Sequence, residues 1–495
     1  MRIIGNNPDA DNAEITAVAS GTLANGSTVI VNTDGTVSVV AETTISDSVG
    51  SAALFTTSHT GSTAAAYDTN AQRIVIAYRD DGDSGRGKLV VGEVSGTSIS
   101  FGSVVTLLSG FNPVVVSYVS AVYDSNAQKV IVAWRNGSES DRGYAVVTTV
   151  DNSNNSISFG SLARFEFGNT SYIGMAYDSS AQKVVIAFTD DDNSNYGKVV
   201  VATVSGTSIS YGTAVVFESA STRHSSPVYD ANTGKIVIAY QDLGNSNCGT
   251  AIVGTVSGTS ISFGSSAVFN SGNVSEIAAV YDPDAQKVVI VGHLSDYPNS
   301  RGIAHVGTVS GTSISFGTVV VFQSGTNVSN NCLVYDTNAK KVVISYRVSS
   351  NGYGKVVAGT VSGTSISFGS VIALHDFSIE NVSSAYDSNE QRVVTAFEDQ
   401  GNGSYTAPGA AVVSKTGFVT TNLTSENFIG FSNAAYANTQ TATIEVGSAI
   451  NNGQSSLTIG QQYFVQTNGT IGTTAADPSV IAGTAISATE IIVKG

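Results

Sequence analysis

The stretch that decides the fold is YDSSAQKVVIAFTDDDNSNYGKVVVATVSGTSISYG, residues 177–212. It starts with Tyr177-Asp178 and a short polar turn, and then alternates three runs rich in β-branched residues with a polar loop and the turn SGTS. β-Branched and aromatic residues favour strands, while clusters of Gly, Ser, Asn and Asp favour turns. The stretch therefore predicts antiparallel strands joined by short turns.

The same pattern recurs along the chain. Tyr-Asp is found seven times, at intervals of 56, 54, 52, 52, 54 and 51 residues: Tyr67-Asp68, Tyr123-Asp124, Tyr177-Asp178, Tyr229-Asp230, Tyr281-Asp282, Tyr335-Asp336 and Tyr386-Asp387. Each copy precedes two strand runs, and all but the last continue into an outer-strand motif, GTSISFG or a close variant. Together with the strand that carries Tyr-Asp, this makes four strands per repeat, which is typical of a β-propeller blade.

A single repeat is too small to be stable alone. Fixing a residue costs roughly 1–2 kcal/mol in backbone entropy, whereas each buried Val, Ile or Phe returns only about 1.5–3 kcal/mol. The repeats must therefore stack, and radial closure would protect their strand edges. We predict an all-β protein with a seven-bladed β-propeller of four-stranded antiparallel blades at residues 51–414, and an open β-solenoid is the alternative.

The two ends of the chain lie outside the repeats. Residues 1–50 contain a strand, a Gly turn and a second strand, and the seventh repeat lacks an outer-strand motif. We therefore predict that Thr36–Glu42 supplies the missing outer strand and closes the ring, with a free N-terminal hairpin as the alternative. Residues 415–495 predict a small C-terminal β domain, in which LTIGQQYFVQTNGTI at 457–471 matches LANGSTVIVNTDGTV at 23–37. Both segments predict hairpins with Asn-Gly or Asp-Gly turns.

Composition narrows the possible functions. Lys and Arg number 22 against 38 Asp and Glu, giving a net charge of −16, and only 12% of the residues are charged. This balance argues against binding of nucleic acid, which needs clustered cations, and against a membrane-surface helix. No apolar run approaches the roughly 18 residues of a membrane span, and the first residues lack the apolar segment of an export signal. With 41% hydrophobic residues, the chain has enough apolar material to fold.

Most repeated residues have a structural explanation. Each Asp of Tyr-Asp can accept hydrogen bonds from the backbone of the turn that follows, and each Tyr can fill the gap between neighbouring sheets. One aromatic residue per repeat ends a strand run: Tyr78, Trp134, Phe188, Tyr240, Tyr346 and Phe397. Aromatic faces beside polar loops would suit sugars, but this once-per-repeat recurrence favours packing between blades.

Candidate ligand contacts lie in the loops that differ between repeats. If the Tyr-Asp strand is innermost, one face of the disc carries nearly identical turns and the other carries loops at 79–87, 135–143, 189–197, 241–249, 293–302, 347–354 and 398–409. Binding residues are commonly carried by such loops on a rigid scaffold. The predicted ligand-binding residues are Asp80, Asp81, Asp83, Arg86, Arg135, Asp190, Asp191, Asp192, Asn195, Tyr196, Asp242, Asn245, Arg301, Arg347 and Asp399.

Metal binding and catalysis have weaker signals. The clusters Asp80, Asp81 and Asp83, and Asp190–Asp192, offer oxygens to Ca²⁺, but neither matches an EF-hand loop, and solvated acidic loops are the favoured interpretation. No nucleophile elbow, P-loop or HExxH motif is present, so we predict a non-enzymatic protein without a cofactor. A propeller glycoside hydrolase using Asp80, Asp190, Glu398 or Asp399 is the enzymatic alternative.

The C-terminal sequence resembles a known family. ENFIGFSNAAY, LTIGQQYFVQTNGTIGTTAADPSV and AGTAISATEIIVKG, within residues 424–495, resemble the terminal modules of structural proteins from tailed phages, particularly marine ones. The GTVSGTSISFG repeats are similar to those of phage virion proteins described as tail-fibre-like or structural. The shared pattern marks strands and turns, so it transfers no binding residue.

This resemblance implies a virion protein, assembled in the bacterial cytoplasm and displayed on the extracellular particle as a tail or capsid fibre or decoration. Its implied partners are other virion proteins and further copies of itself, with residues 415–495 as an attachment or assembly module. The variable face would then bind a host-surface glycan or receptor. A purely architectural capsid or tail component without a host ligand is the alternative.

Overall fold

The computed structural model describes residues 13–109, 112–296, 300–401 and 407–494. Within these ranges the chain is all-β and propeller-like, and its helical residues are confined to three short 3₁₀ segments, Asp81–Asp83, Gly137–Glu139 and Leu243–Asn245. No helix in the described part of the chain has the length and apolar character needed to cross a membrane. The chain divides into two compact units, one formed by residues 47–416 and the other by residues up to 46 together with those from 417 onward.

Neighbouring strands of each Tyr-Asp repeat pair antiparallel, and these groups of strands are called here the first to the seventh sheet in chain order, although shared strands join six of them into two 13-stranded sheets. The inner strands end in Tyr-Asp: Ala53–Asp68, Val116–Asp124, Ala163–Asp178, Val215–Asp230, Val274–Asp282, Val328–Asp336 and Ile372–Asp387. The second strands are Arg73–Asp80, Lys129–Asn136, Lys183–Asp190, Lys235–Asp242, Lys287–Leu294, Lys341–Val348 and Arg392–Asp399. The third strands are Arg86–Ser95, Arg142–Asp151, Tyr196–Ser205, Cys248–Ser257, Arg301–Ser310, Tyr353–Ser362 and Pro408–Lys415.

The outer strand of each sheet is built from two pieces. The first piece is the predicted motif: Ser98–Phe101, Ser156–Phe159, Ser208–Tyr211, Ser260–Phe263, Ser313–Phe316 and Ser365–Phe368. The second piece is either a short strand or the first half of the following long strand, and the short strands are Val105–Thr106, Ala267–Asn270 and Val320–Gln323. A separate ladder joins Leu108–Ser109 to Asn112–Pro113. A 16-residue strand such as Val215–Asp230 therefore completes one sheet and begins the next.

The first and last repeats are joined through the N-terminal part of the repeat region. Ala53–Asp68 pairs with Pro408–Lys415 through its first half and with Arg73–Asp80 through its second half. Ser48–Val49 occupies the place of the missing motif beside the same third strand. The inner strands contact one another in chain order, and the last also contacts the first. N-terminal residues therefore pair with the third strand of the seventh sheet.

The predicted segment, Thr36–Glu42, was wrong. Val37–Val39 pairs with Thr28–Val31, and Glu42–Ile45 pairs with Phe418–Thr421, both within the terminal unit. The physical reason is burial, because Val37 is fully buried in a core with residues such as Val29 and Ile444. The hairpin therefore buries its apolar face inside the terminal unit.

The terminal unit is built from three small sheets. One contains Glu14–Val18, Thr441–Glu445, Phe428–Ser432, Thr28–Val31 and Val37–Val39. The second contains Ile450–Asn451, Ile491–Val493, Val480–Ala485, Gln462–Val465 and Ile471–Gly472, and the third pairs Glu42–Ile45 with Phe418–Thr421. Both predicted hairpins are confirmed, with Val31 opposite Val37 in one and Val465 opposite Ile471 in the other.

Aromatic side chains fill the spaces between sheets. The six residues expected there are at most 1% exposed, namely Tyr78, Trp134, Phe188, Tyr240, Tyr346 and Phe397. A phenylalanine of the outer strand packs against several of them, as Phe217 does against Tyr240 at a ring separation of 5.2 Å. Their predicted role in packing is confirmed, and they offer no face to a ligand.

The Tyr-Asp pairs hold the turns and join neighbouring sheets. The Asp178 carboxylate accepts hydrogen bonds from the backbone N–H groups of Ser180 and Ala181, at 3.0 and 2.9 Å. The Tyr177 hydroxyl accepts one from the Asn126 N–H in the preceding turn, at 3.3 Å. The structural roles predicted for both residues are confirmed.

We expect Asp178→Ala to lower the free energy of unfolding by about 2 kcal/mol, because two backbone N–H groups of the turn lose their acceptor. Asp178→Asn keeps an oxygen at the same place and should lose less. Urea unfolding followed by circular dichroism measures both values. Equal losses for the two variants would contradict the assigned role of the hydrogen bonds.

Candidate functional site

One residue in each inner strand has a left-handed backbone conformation. It lies five positions before the tyrosine of Tyr-Asp, and its φ is between 37° and 54° in every copy. These seven bulge residues are Ser62, Tyr118, Tyr172, His224, Glu276, Asn330 and Asn381. At each one the pairing between the inner and second strands shifts register, which marks a β-bulge. Bulges redirect side chains and are frequent beside functional sites.

The bulges lie near the variable loops. Ser117 pairs with Arg135 just before the bulge, and the loop at 135–143 begins at this end of the second strand. The Tyr-Asp turn lies at the other end of the inner strand. The bulge residues are half-buried, and those of the second, third and fourth repeats line cavities near this end of the strands.

Two adjoining cavities are lined by bulge residues of the second, third and fourth sheets. The first, called here the inner-strand cavity, has a volume of about 380 Å³ and is lined by Tyr118, Tyr172 and His224. The second, called the mouth cavity, has about 250 Å³ and shares Tyr118 and Tyr172 with the first. Its other lining residues include Asp191 and Asn195 of the variable loop 189–197. The pair of cavities therefore connects the bulge residues with the variable face.

Three successive bulge residues, Tyr118, Tyr172 and His224, form an aromatic arc. The Tyr118 and Tyr172 rings are 5.2 Å apart, and Tyr172 and His224 are 5.0 Å apart. Burial lowers the pKa of His224 against the opposing effect of the Glu276 carboxylate, so the imidazole is neutral at pH 7. The Arg135 guanidinium lies 5.8 Å from the Tyr118 ring centroid. These three rings form a row along the cavity wall.

Three other bulge residues, Glu276, Asn330 and Asn381, form a polar arc and hydrogen-bond to one another. The Glu276 carboxylate accepts a hydrogen bond from the Asn330 N–H at 2.7 Å, and the Asn330 side-chain oxygen accepts one from the Asn381 N–H at 3.0 Å. The Asn381 amide donates to the Glu398 carboxylate at 2.7 Å, and the Thr63 hydroxyl donates to the Asn381 carbonyl oxygen. These contacts tie neighbouring inner strands together, whereas the aromatic arc leaves its rings facing the cavities.

The mouth cavity carries charges of both signs. The Asp191 carboxylate accepts a hydrogen bond from the Ser171 hydroxyl at 2.7 Å, and burial raises the pKa of Asp191. Arg223 also lines this cavity, is exposed, and makes no ion pair among the residues that the structure describes. By contrast, Arg135 is bound to the Asp141 carboxylate at 2.7 Å. Ser221 also lines this cavity, whereas Thr189 and Thr222 beside it are buried and their hydroxyls hydrogen-bond to each other.

Only part of the predicted site converges on these cavities. Asp191 and Asn195 line the mouth cavity, and Arg135 lies beside the Tyr118 ring. The other predicted residues line neither cavity. Their side chains or backbone groups bond to residues of the same loop or of a nearby strand.

In the first variable loop, Asp80 accepts the Asp83 N–H at 3.0 Å and caps a 3₁₀ turn. Asp81 is paired with Arg79, and Asp83 with Arg86 at 2.5 Å and Lys88 at 2.6 Å. The Lys88 ammonium lowers the pKa of Asp83 below its usual value. This loop is therefore an ion-pair network.

The predicted residues of the later loops also bond to other groups of the protein. The remaining predicted residues make these contacts: Asp190 with Lys198 at 2.5 Å, Asp192 with the Asn169 N–H at 2.8 Å, the Tyr196 N–H with the Asn193 carbonyl at 3.0 Å, Asp242 with the Asn245 N–H at 3.1 Å, Arg301 with Asp296 at 3.2 Å, Arg347 with Glu380 at 3.7 Å, and Asp399 with the Gly401 N–H at 3.0 Å. Most of these carboxylates act as caps or ion-pair partners.

The two acidic clusters do not form a metal site in the described part of the chain. There, no three or more His, Cys, Asp or Glu side chains are grouped so that they could hold a metal ion. Lys88 and Lys198 neutralise carboxylates of the first and third variable loops. These loops are thus ion-paired, which differs from the solvated acidic loops favoured from the sequence.

The sequence reasoning missed the bulge residues. It searched the loops for ligand contacts, whereas Tyr118, Tyr172 and His224 lie inside strands. The position five residues before the repeated tyrosine is Ser, Tyr, Tyr, His, Glu, Asn and Asn in successive copies. The next position varies as widely, with Thr, Val, Ile, Ser, Ile, Asn and Val, so variety alone did not distinguish the bulge position.

The comparisons with known proteins assign no function. No protein-family model matches the chain, and no curated protein matches it. Among solved structures, it is similar to a protein of unknown function from Dyadobacter fermentans DSM 18053, with 11% identity, a TM-score of 0.43, and coverage of 76% of this chain and 99% of that chain.

Two further structures have comparable similarity. One is a leech intramolecular trans-sialidase complexed with 2,7-anhydro-Neu5Ac, with 10% identity, a TM-score of 0.41, and coverage of 72% of this chain and 68% of that chain. The other is Sqt1 from Chaetomium thermophilum, with 11% identity, a TM-score of 0.43, and coverage of 76% and 91%. At such identities and TM-scores, function has to be argued from the site itself.

Proposed function

We propose that the repeat region is a seven-bladed β-propeller that serves as a non-enzymatic recognition module, and that its variable face binds a host-surface glycan or receptor at the mouth and inner-strand cavities. The observation that carries this proposal is the position of the bulge residues. The scaffold residues Tyr and Asp are the same in all seven copies, whereas the bulge residue differs between copies, and three bulge residues, Tyr118, Tyr172 and His224, line the cavities. A surface that diversifies on a constant scaffold suits recognition.

The proposed place of action is a phage particle. The terminal modules and the GTVSGTSISFG repeats support it through their resemblance to tailed-phage structural proteins. In this proposal the terminal unit attaches the chain to other virion proteins or to further copies of itself. The architectural alternative, in which no host ligand is bound, is tested by the same binding experiment as the recognition role.

The state of the carboxylates supports a non-enzymatic role. Asp190 is paired with Lys198, and Glu398 accepts hydrogen bonds from Asn381 and Gln400. Catalytic carboxylates of glycosidases need to face the substrate as a separated pair, and these carboxylates line neither cavity.

The proposal is tested with the purified full-length chain and cell-envelope fractions from bacteria that the parent phage infects. We expect saturable binding, lost when loop 189–197 is replaced by a Gly-Ser linker of equal length. The matched control replaces the exposed residues 151–153 of the opposite face with alanine and should bind normally. Absence of binding to every fraction would contradict the recognition role and leave the architectural one. Immunogold labelling of particles tests the virion assignment, and unlabelled particles would contradict it.

A further inference from the structure

We infer that the inner-strand and mouth cavities together bind uncharged carbohydrate, with a sugar ring packed on the row formed by Tyr118, Tyr172 and His224. This inference rests on the proposed recognition function and selects glycan over protein as its ligand. It places the contact on strand residues rather than on the acidic loop clusters. Three properties of the cavities support it: their aromatic wall, their polar lining and their balance of charge.

The aromatic wall provides the apolar contact. Sugar rings have apolar C–H faces, and aromatic side chains give a large contact area at low entropic cost. Tyr118 and Tyr172 line both cavities, so a ligand entering through the mouth would meet them in either one. The buried aromatic residues between sheets cannot serve in this way, since they are at most 1% exposed.

The polar lining matches hydroxyl groups. A sugar hydroxyl both donates and accepts, and the mouth cavity is lined by Asp191, Asn195 and Arg223, whose side chains include both acceptors and donors. Specific small-ligand sites combine an apolar wall with a few placed polar groups. The combined volumes of the cavities lie in the range of several hundred Å³ that such ligands occupy.

The balance of charge favours an uncharged ligand. Asp191 and Arg223 carry opposite charges in the same cavity, so an anionic ligand would meet the carboxylate and a cationic ligand would meet the guanidinium. The chain has a net charge of −16, which disfavours the approach of a polyanion. Neutral hexose-containing glycans meet neither penalty.

The chain itself supplies a matched variant for the test. Asn occupies the bulge position in the sixth and seventh repeats, so Tyr172→Asn removes the ring while keeping a residue that this backbone conformation accepts. Tyr172→Phe keeps the ring. Tyr353→Ala removes a 38% exposed tyrosine that lines neither cavity and is the control.

The experiment screens the full chain on an array of neutral and acidic glycans and measures affinity for the best ligand by calorimetry. We expect a neutral glycan to bind, with affinity reduced at least tenfold by Tyr172→Asn and at most threefold by Tyr172→Phe or Tyr353→Ala. Asn195→Ala should weaken binding severalfold. Equal unfolding midpoints for Tyr172→Asn and the parent chain establish that the loss is local.

The outcomes separate this inference from the proposed function. Binding of acidic glycans only, or affinity unchanged by Tyr172→Asn, would overturn the assignment of uncharged carbohydrate to the aromatic row. A different result would overturn this inference and keep the recognition function. In it, the chain binds envelope through loop 189–197, protease treatment of the fraction abolishes that binding, and no glycan binds. Loss of both glycan and envelope binding would overturn the two together.

Discussion

Phe55→Ala is expected to lower the free energy of unfolding by about 3–5 kcal/mol, as for other large-to-small changes in a packed core. Phe55 is only 5% exposed, although it lies in the N-terminal part of the repeat region. Its ring is 5.0 Å from Tyr78 of the first sheet, and a Cβ on Gly409 of the seventh sheet would collide with it. Removing the ring therefore leaves a cavity where the first and last repeats meet.

The matched control is Phe217→Ala, an equivalent outer-strand phenylalanine in the middle of the chain that is 7% exposed. If the ends are joined as the strand pairing indicates, urea unfolding should give similar losses for the two variants. A loss below about 1 kcal/mol for Phe55→Ala, beside a normal loss for Phe217→Ala, would show that the closing contact contributes little to stability.

The second large effect concerns pH. His305 is 4% exposed and packs against the rings of Phe269 and Phe316, and burial lowers its pKa to about 4. In the unfolded chain it would titrate near its usual pKa of about 6.5, so between these values the unfolded state binds more protons. The stabilising effect of keeping His305 neutral is therefore complete above pH 6.5 and is lost as the pH falls towards 4. We expect a loss of about 3 kcal/mol from this residue.

The measurement compares urea unfolding at pH 7 and pH 4 for the parent chain and for His305→Ile. Ile252 occupies the equivalent position in the fourth sheet and is also buried, so isoleucine is a residue that this site accepts. The difference between the two chains isolates His305 from the buried carboxylates, whose raised pKa values have the opposite effect, as for Asp68 and Asp282. Parallel pH profiles for the two chains would contradict the prediction.

The strands and turns of the repeats could be predicted from the sequence because their signals are local. A run such as KVVIAF between polar turns contains its own evidence for a strand, and the recurrence of Tyr-Asp supplies the repeat. The pairing partner of each N-terminal strand could not be predicted from nearby residues. Residues 28–45 contain the clearer strand–turn–strand pattern, yet the joining strand lies further on.

A weaker signal did mark the joining strand. Ala53-Leu54-Phe55 matches Ala163-Arg164-Phe165, which also begins a long strand. The close backbone contact at Gly50 could not be predicted either. A Cβ on Gly50 would collide with the Thr97 carbonyl in the turn of the first sheet, and a Cβ on Gly102 would collide with the Asn155 carbonyl in the turn of the second sheet. Such contacts depend on the tertiary arrangement and have no signature within a few residues.

The candidate site was predictable only in part. Loop residues such as Asp191 and Asn195 could be proposed because polar loops are where binding residues are usually found. Tyr172 and His224 could not, since tyrosine does not favour a left-handed conformation and nothing near either residue in the sequence indicates a bulge.

The pairing of Ile45 with Phe418 places the two points where the chain leaves and re-enters the terminal unit on adjacent strands. For the fold of that unit, the 370 residues of the repeat unit, 47–416, amount to a very long connection between two paired strands. Recombination at these two points would therefore exchange the whole repeat region for another sequence and leave both paired strands of the terminal unit in place.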